Sequence, residues 1–261
     1  PLGLPPQPEQ PGSPVTAPPP PEPPTEPPRE PFWGYSDLFL FIGLLLAAAV
    51  VSLGAVSLTF SLLPARDQSR VAEALIAQSL IYVLAYSALA VLFRIHYGRP
   101  FWRSLGWTSL KLPAPLIVLT GAGTAIVVAY LGALIRTPTT NNRITELLEN
   151  PKSLIWLAVF GVTLAPIAEE LGFRGLLQPL LVRSLGPAPG IIAAAIPFGL
   201  LHFSEYGNSW RHALLISLAG AAFGWMRYRT GSTKASALMH ASYNALEFVA
   251  YLAQRKEFPH T

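Results

Sequence analysis

The sequence predicts an all-α protein, a polytopic transmembrane bundle of about seven to eight helices behind a disordered Pro-rich N-terminal tail. Three observations predict it. Of the 261 residues, 51% are apolar and only 12% are charged, where a soluble domain carries about 25% charged residues. Apolar segments recur from Leu38 onward with short polar breaks, and several reach the roughly 20 residues that span a bilayer. Fifteen of the 27 prolines fall within residues 1–31, a composition that cannot bury a core and favours polyproline II or disorder.

The tail is expected over residues 1–34 and the bundle over 35–261, with a catalytic-type core at 154–253. The stretch Pro19-Pro20-Pro21-Glu22-Pro23-Pro24 reads first as part of a flexible tail and second as a docking segment. The chain begins at Pro1, as expected of a fragment, and shows no basic and apolar start of the signal-peptide kind. Leu38–Leu63, Val71–Phe93 and Pro115–Ile135 read as the first three spans, and Leu154 to about Val182 as a fourth, interrupted by charge. A break near Pro179 would raise the helix count to eight. Pro189–Phe203, Ala213–Met226 and Ala235–Ala253 are shorter or more polar, and read as helices buried in the bundle or partly spanning.

Prolines punctuate the later helices. Pro166 lies about one turn before Glu169, and Pro197 little more than one turn before His202. Proline removes a backbone hydrogen bond and kinks a helix. In lipid, such a break persists where the freed backbone is buried in protein or lines a wet cavity, so both prolines point to one shared cavity. Gly172 and Gly175 allow close approach of helix backbones. With seven spans and the N-terminus inside, inside loops hold ten basic residues against eight outside. The basic loop after the second span favours a cytoplasmic N-terminus.

The composition also excludes several function classes. Without cysteine there is no disulfide, thiolate nucleophile or Cys-ligated metal. The net charge of +4 comes from residues spread between apolar runs, which is no nucleic-acid footprint. The partners implied are the lipid bilayer and a peptide or protein substrate. Nothing specifies an oligomeric state.

Against this apolar background the run Ala168-Glu169-Glu170-Leu171-Gly172-Phe173-Arg174 is costly. A charged side chain at bilayer depth costs about 2.5–3.5 kcal/mol on insertion scales. Residues four apart are neighbours on a helix, so Glu170 can pair with Arg174. Glu169, about 100° away, is left to face a cavity. By the same spacing Phe198 packs beside His202, and His240 shares a face with Asn244.

Each residue alone has a bland reading: a helix-stabilising ion pair, an interhelical hydrogen bond, a packing amide. Glu205 and Glu247 sit near helix ends and read as solvated. Taken together, three helices supply the groups that water activation requires. A carboxylate accepts a proton from water, and a histidine holds that water. An amide or imidazole N–H stabilises the tetrahedral oxyanion. One shared water would set Glu169 and His202 roughly 3–6 Å apart. No Ser- or Cys-centred nucleophile motif is present. Glu169, His202 and His240 also permit a zinc site, although His-Glu-x-x-His is absent. A non-catalytic immunity factor or scaffold remains a third reading.

Glu169-Glu170-x-x-x-Arg174, Phe198-x-x-x-His202 and His240-x-x-x-Asn244, in this order and each in an apolar helix, resemble the three motifs of the CPBP family. That family comprises the type-II CAAX prenyl proteases and the bacteriocin-processing and immunity proteins. The resemblance covers about residues 154–253, and Leu105-Gly106-Trp107 adds a weaker likeness to bacterial members. It implies an intramembrane glutamate-type endopeptidase without a required metal. In that scheme Glu169 and His202 activate water, His240 and Asn244 form the oxyanion hole, and Glu170, Arg174 and Phe198 support the site. The Pro-rich tail is a departure from the family pattern. Short loops and compact size look prokaryotic and suggest a bacterial plasma membrane. They make an unmodified peptide or membrane-protein terminus as fitting a substrate as a prenylated one.

Overall fold

The structure, a computed structural model, describes residues 3, 31–64, 69–138 and 151–257. Among them there are helices and no strands. In chain order the elements are α1 (Tyr35–Ser61), α2 (Arg70–Tyr97), the single turn α3 (Phe101–Ser104), α4 (Ala114–Leu134), α5 (Pro151–Val162) and α6 (Leu164–Glu170). A π-helical segment (Leu171–Leu177) follows, then α7 (Gln178–Leu185), α8 (Pro187–Leu201), α9 (Trp210–Thr230) and α10 (Thr233–Glu257). Residues 153–185 run as one interrupted helix, so seven long helical runs plus α3 make up the described bundle. Four runs are long and apolar enough to cross a membrane: α1, α2, α4 and 153–185. The loop tally of basic residues assumed seven spans, and α9 and α10 do not reach that apolar standard.

Local chemistry explains the helix ends. Ser69 caps α2, its Oγ accepting from Ala72 N at 3.3 Å. Gly98 and Gly231 close α2 and α9 in the left-handed region, at φ +63° and +67°, where L side chains pay a steric cost. In the first turn of α1, Asp37 accepts from Gly34 N at 2.8 Å and from the Tyr97 hydroxyl at 2.9 Å.

The tail boundary lies earlier than expected. Residues 31–34 pack against the bundle: Trp33 is buried, and its Nε1 donates to Leu176 O at 3.1 Å. Phe32, Trp33, Phe93 and Tyr97 stack edge and face around that anchor. An indole buries a large apolar area and still needs a partner for its N–H, and the Leu176 carbonyl supplies one. The remaining tail, apart from Gly3, lies outside the described residues.

Two apolar clusters form the core. One joins α4, α9 and α10 around Ile117, Phe223 and Met239, and the other joins α1 and α2 to Leu105, Leu171 and Leu180. The run 164–177 is the seam between them, because Leu171 and Leu176 belong to one cluster while Phe173 packs on the other. Exposed apolar side chains such as Phe39, Val50, Leu58 and Leu119 cover the outer faces of α1 and α4, as a lipid-facing surface requires.

Close packing depends on small residues. A Cβ on Gly121 of α4 would lie 2.2 Å from Met239 O of α10, and one on Gly199 of α8 would lie 2.3 Å from Ala213 O of α9. Neither carbonyl can yield without separating two helices. Gly121→Ala is therefore expected to destabilise by about 1–3 kcal/mol, seen as a lowered melting temperature in detergent. An unchanged melting temperature would contradict this packing. Gly172 and Gly175, expected to bring helix backbones together, instead admit the Tyr86 hydroxyl and the Leu105 turn.

Candidate active site

The interruption in the 153–185 run lies at Thr163, three residues before Pro166. Proline lacks the N–H that would bond the carbonyl four residues back, and its ring crowds that carbonyl. The helix therefore parts upstream of the proline and re-forms as α6. Carbonyls of the last turn of a helix lack intrahelical partners, and Gly161 O of α5 accepts from Asn244 Nδ2 at 2.7 Å. Pro197, by contrast, sits inside a continuous α8. The expected break at Pro179 is a change from π to α helix at Gln178, with no separation of the chain.

Directly after the two glutamates the backbone widens into the π-helix Leu171–Leu177. Such segments are rare and occur often at functional sites. Tyr86 of α2 donates its hydroxyl to Ala168 O, tying the glutamate-bearing turn to α2.

Glu170 and Arg174 are fully buried and paired, Nη1 to Oε1 at 2.9 Å. The guanidinium also donates from Nη2 to Gly220 O at 2.7 Å and lies 4.3 Å above the Phe198 ring. Phe173 and Phe223 flank it at 5.7 and 5.6 Å. Aromatic faces stabilise a desolvated cation by about 2 kcal/mol. The same Glu170 oxygen accepts from His240 Nδ1 at 3.1 Å. Phe223 stacks on the His240 ring at 4.6 Å, so His240 is held by a carboxylate at one nitrogen and a ring across its face.

Glu169 points away from this buried pair, as the 100° offset requires. Its side chain is 21% exposed, and its Oε2 lies 3.9 Å from His240 Nε2. Glu169 and His202 share a cleft without pairing directly, and the imidazole in ion-pair range of Glu169 is that of His240. His202 is at the C-cap of α8, outside the helix, because the chain turns at once through Gly207 and Asn208 in the left-handed region. Its Nδ1 lies 2.9 Å from Phe198 O. A carbonyl only accepts, so Nδ1 carries the proton and Nε2 is the acceptor. Phe198 packs 5.1 Å from that imidazole and 5.7 Å from His240.

Glu169, His202, His240 and Asn244 line one cleft of about 1660 Å³. Glu205 and Glu247, read from the sequence as solvated or interfacial helix-end residues, are exposed and line its mouth. Their place in the cleft depends on how the 202–209 turn folds back on α10, and spacing along one helix carries no sign of it. The same holds for the Gly161 and Gly220 carbonyls, which every residue type possesses.

Residues 151–246 match the family model of the type II CAAX prenyl endopeptidases, Rce1-like. That segment is similar to an Rce1-like domain. This is the family that the three motifs resemble. Neither the curated proteins nor the solved structures gave a match. The matched segment contains all seven motif residues, from Glu169 to Asn244, and begins after α4. The family model describes endopeptidases. Among the described residues no three His, Asp or Glu side chains lie close enough to hold a metal ion. His240 Nδ1 pairs with Glu170 and His202 Nδ1 with a backbone carbonyl, so each ring has Nε2 as its remaining nitrogen.

Proposed function

We propose that the protein is an intramembrane endopeptidase that hydrolyses a peptide bond of a membrane-associated protein or peptide, with Glu169 as general base. One observation supports this above the others: Glu169, His202, His240 and Asn244 line a single cleft, while Glu170 and Arg174 are sealed behind it. In this reading water sits between the Glu169 carboxylate and His202 Nε2. Glu169 takes its proton as the oxygen attacks the scissile carbonyl carbon. The oxyanion accepts from the second amide N–H of Asn244, the first being given to Gly161 O, and from the His240 ring. Glu169 then returns the proton to the departing amine. No metal takes part in these steps.

His202→Ala tests it. Membrane peptides incubated with the reconstituted protein and followed by mass spectrometry should yield fragments with the parent protein and none with the variant. A chelator should leave the fragments unchanged. Equal fragment yields from the two proteins would sink the peptidase reading and leave a binding or immunity role. Loss of all fragments on chelation would restore the zinc alternative.

A further inference from the structure

The end of the bundle remote from the cleft collects positive charge. Arg99, Arg103, Arg183, Arg227, Arg229 and Lys234 lie at the helix ends and turns that meet there. Contacts bind these segments together. Arg183 Nη1 donates to Pro31 O at 2.6 Å, Arg99 lies 5.7 Å over the Phe32 ring, and Thr233 N donates to Gly106 O at 2.8 Å. The acid described at this end, Asp37, is occupied by Gly34 and Tyr97.

Within this end is a pocket of about 340 Å³ lined by Trp33, Gln178, Pro179, Arg183, Arg227 and Tyr228, among others. The Arg227 guanidinium packs against Gly106, where a Cβ would collide with its Nη2. Its Nε is buried without a partner, and among the described residues no carboxylate lies in ion-pair range of Arg183 or Arg227. Gln178 is buried, donates from Nε2 to Gly224 O at 2.9 Å, and leaves its Oε1 buried and unpartnered. A desolvated guanidinium without a counter-charge is costly. Two cations in one pocket thus describe a ligand with an anionic group such as a phosphate. Exposed Trp102, Trp225 and Tyr228 surround this end, and such aromatics sit at headgroup level in membranes. Anionic lipid attracts arginines at that depth.

We infer that this pocket holds the headgroup of an anionic phospholipid. The phosphate sits on Arg183 and Arg227. The site is separate from the cleft and does not depend on peptidase activity. Phosphatidylglycerol and phosphatidylcholine offered to the 261-residue chain in detergent, and retention read by native mass spectrometry, test it. The parent protein should retain phosphatidylglycerol preferentially. Arg183→Gln should lower that retention about fivefold, and Arg183→Gln with Arg227→Gln about 25-fold. Arg183 is exposed, so the single variant should keep its melting temperature in phosphatidylcholine. Equal retention of the two lipids by the parent protein overturns the inference, as does undiminished retention in the double variant. Displacement of phosphatidylglycerol by millimolar inorganic phosphate would mark a free-phosphate site and overturn the lipid assignment.

Discussion

Glu169→Gln is expected to lower peptide hydrolysis by about 10²–10⁴-fold while leaving helix content and melting temperature unchanged. The substitution keeps the shape of the side chain and removes the basic oxygen. Glu169 is partly exposed to the cleft, and its carboxylate stands 3.9 Å from His240, beyond hydrogen-bond length. Arg174 pairs with Glu170 and would keep its partner, so no buried charge is stranded. Activity and stability should therefore separate at this position. Single-turnover cleavage of an identified membrane peptide measures the first, and thermal unfolding the second. Full activity in the variant would remove Glu169 from the mechanism.

Arg174→Met is expected to have the opposite profile, a loss of about 3–5 kcal/mol of stability. The guanidinium is 1% exposed, neutralises Glu170, satisfies Gly220 O and stacks on Phe198. Removing it leaves the Glu170 carboxylate buried beside the His240 ring, without its guanidinium partner. Most of the cost is that stranded charge, so neutralising it should recover much of the loss. Glu170→Gln combined with Arg174→Met should be markedly more stable than Arg174→Met alone, and a double-mutant cycle on melting in detergent measures the coupling. Additive effects of the two substitutions would show that the pair does not interact across the 2.9 Å contact. Because Glu170 also holds His240 Nδ1, the double variant should regain stability without regaining hydrolysis.

These two variants differ because adjacent glutamates meet different surroundings, and half of that difference is readable in one dimension. The i,i+4 spacing of Glu170 and Arg174 and the 100° offset of Glu169 are properties of any helix, and the structure places the pair accordingly. The same is true of Phe198 against His202. Apolar length and the scarcity of charge determined an all-helical chain with membrane-length helices, because a bilayer accepts few alternatives. The π-helix after Glu170 left no such trace, since its sequence is as apolar as its neighbours. Nor did the burial of Trp33, which follows a proline-rich stretch yet finds the Leu176 carbonyl 143 residues away.

By itself, then, the sequence determined the class of fold and the separate placements of Glu169 and Glu170, both of which rest on local helix geometry. Tertiary structure alone decided which imidazole meets which carboxylate. His240 bridges toward both glutamates, His202 caps its helix on Phe198 O, and Asn244 bonds Gly161 O. Those partners depend on where the 153–185 run breaks, where α8 ends and how closely glycines let helices approach, and that is a property of packing between distant segments, not of spacing along any one of them.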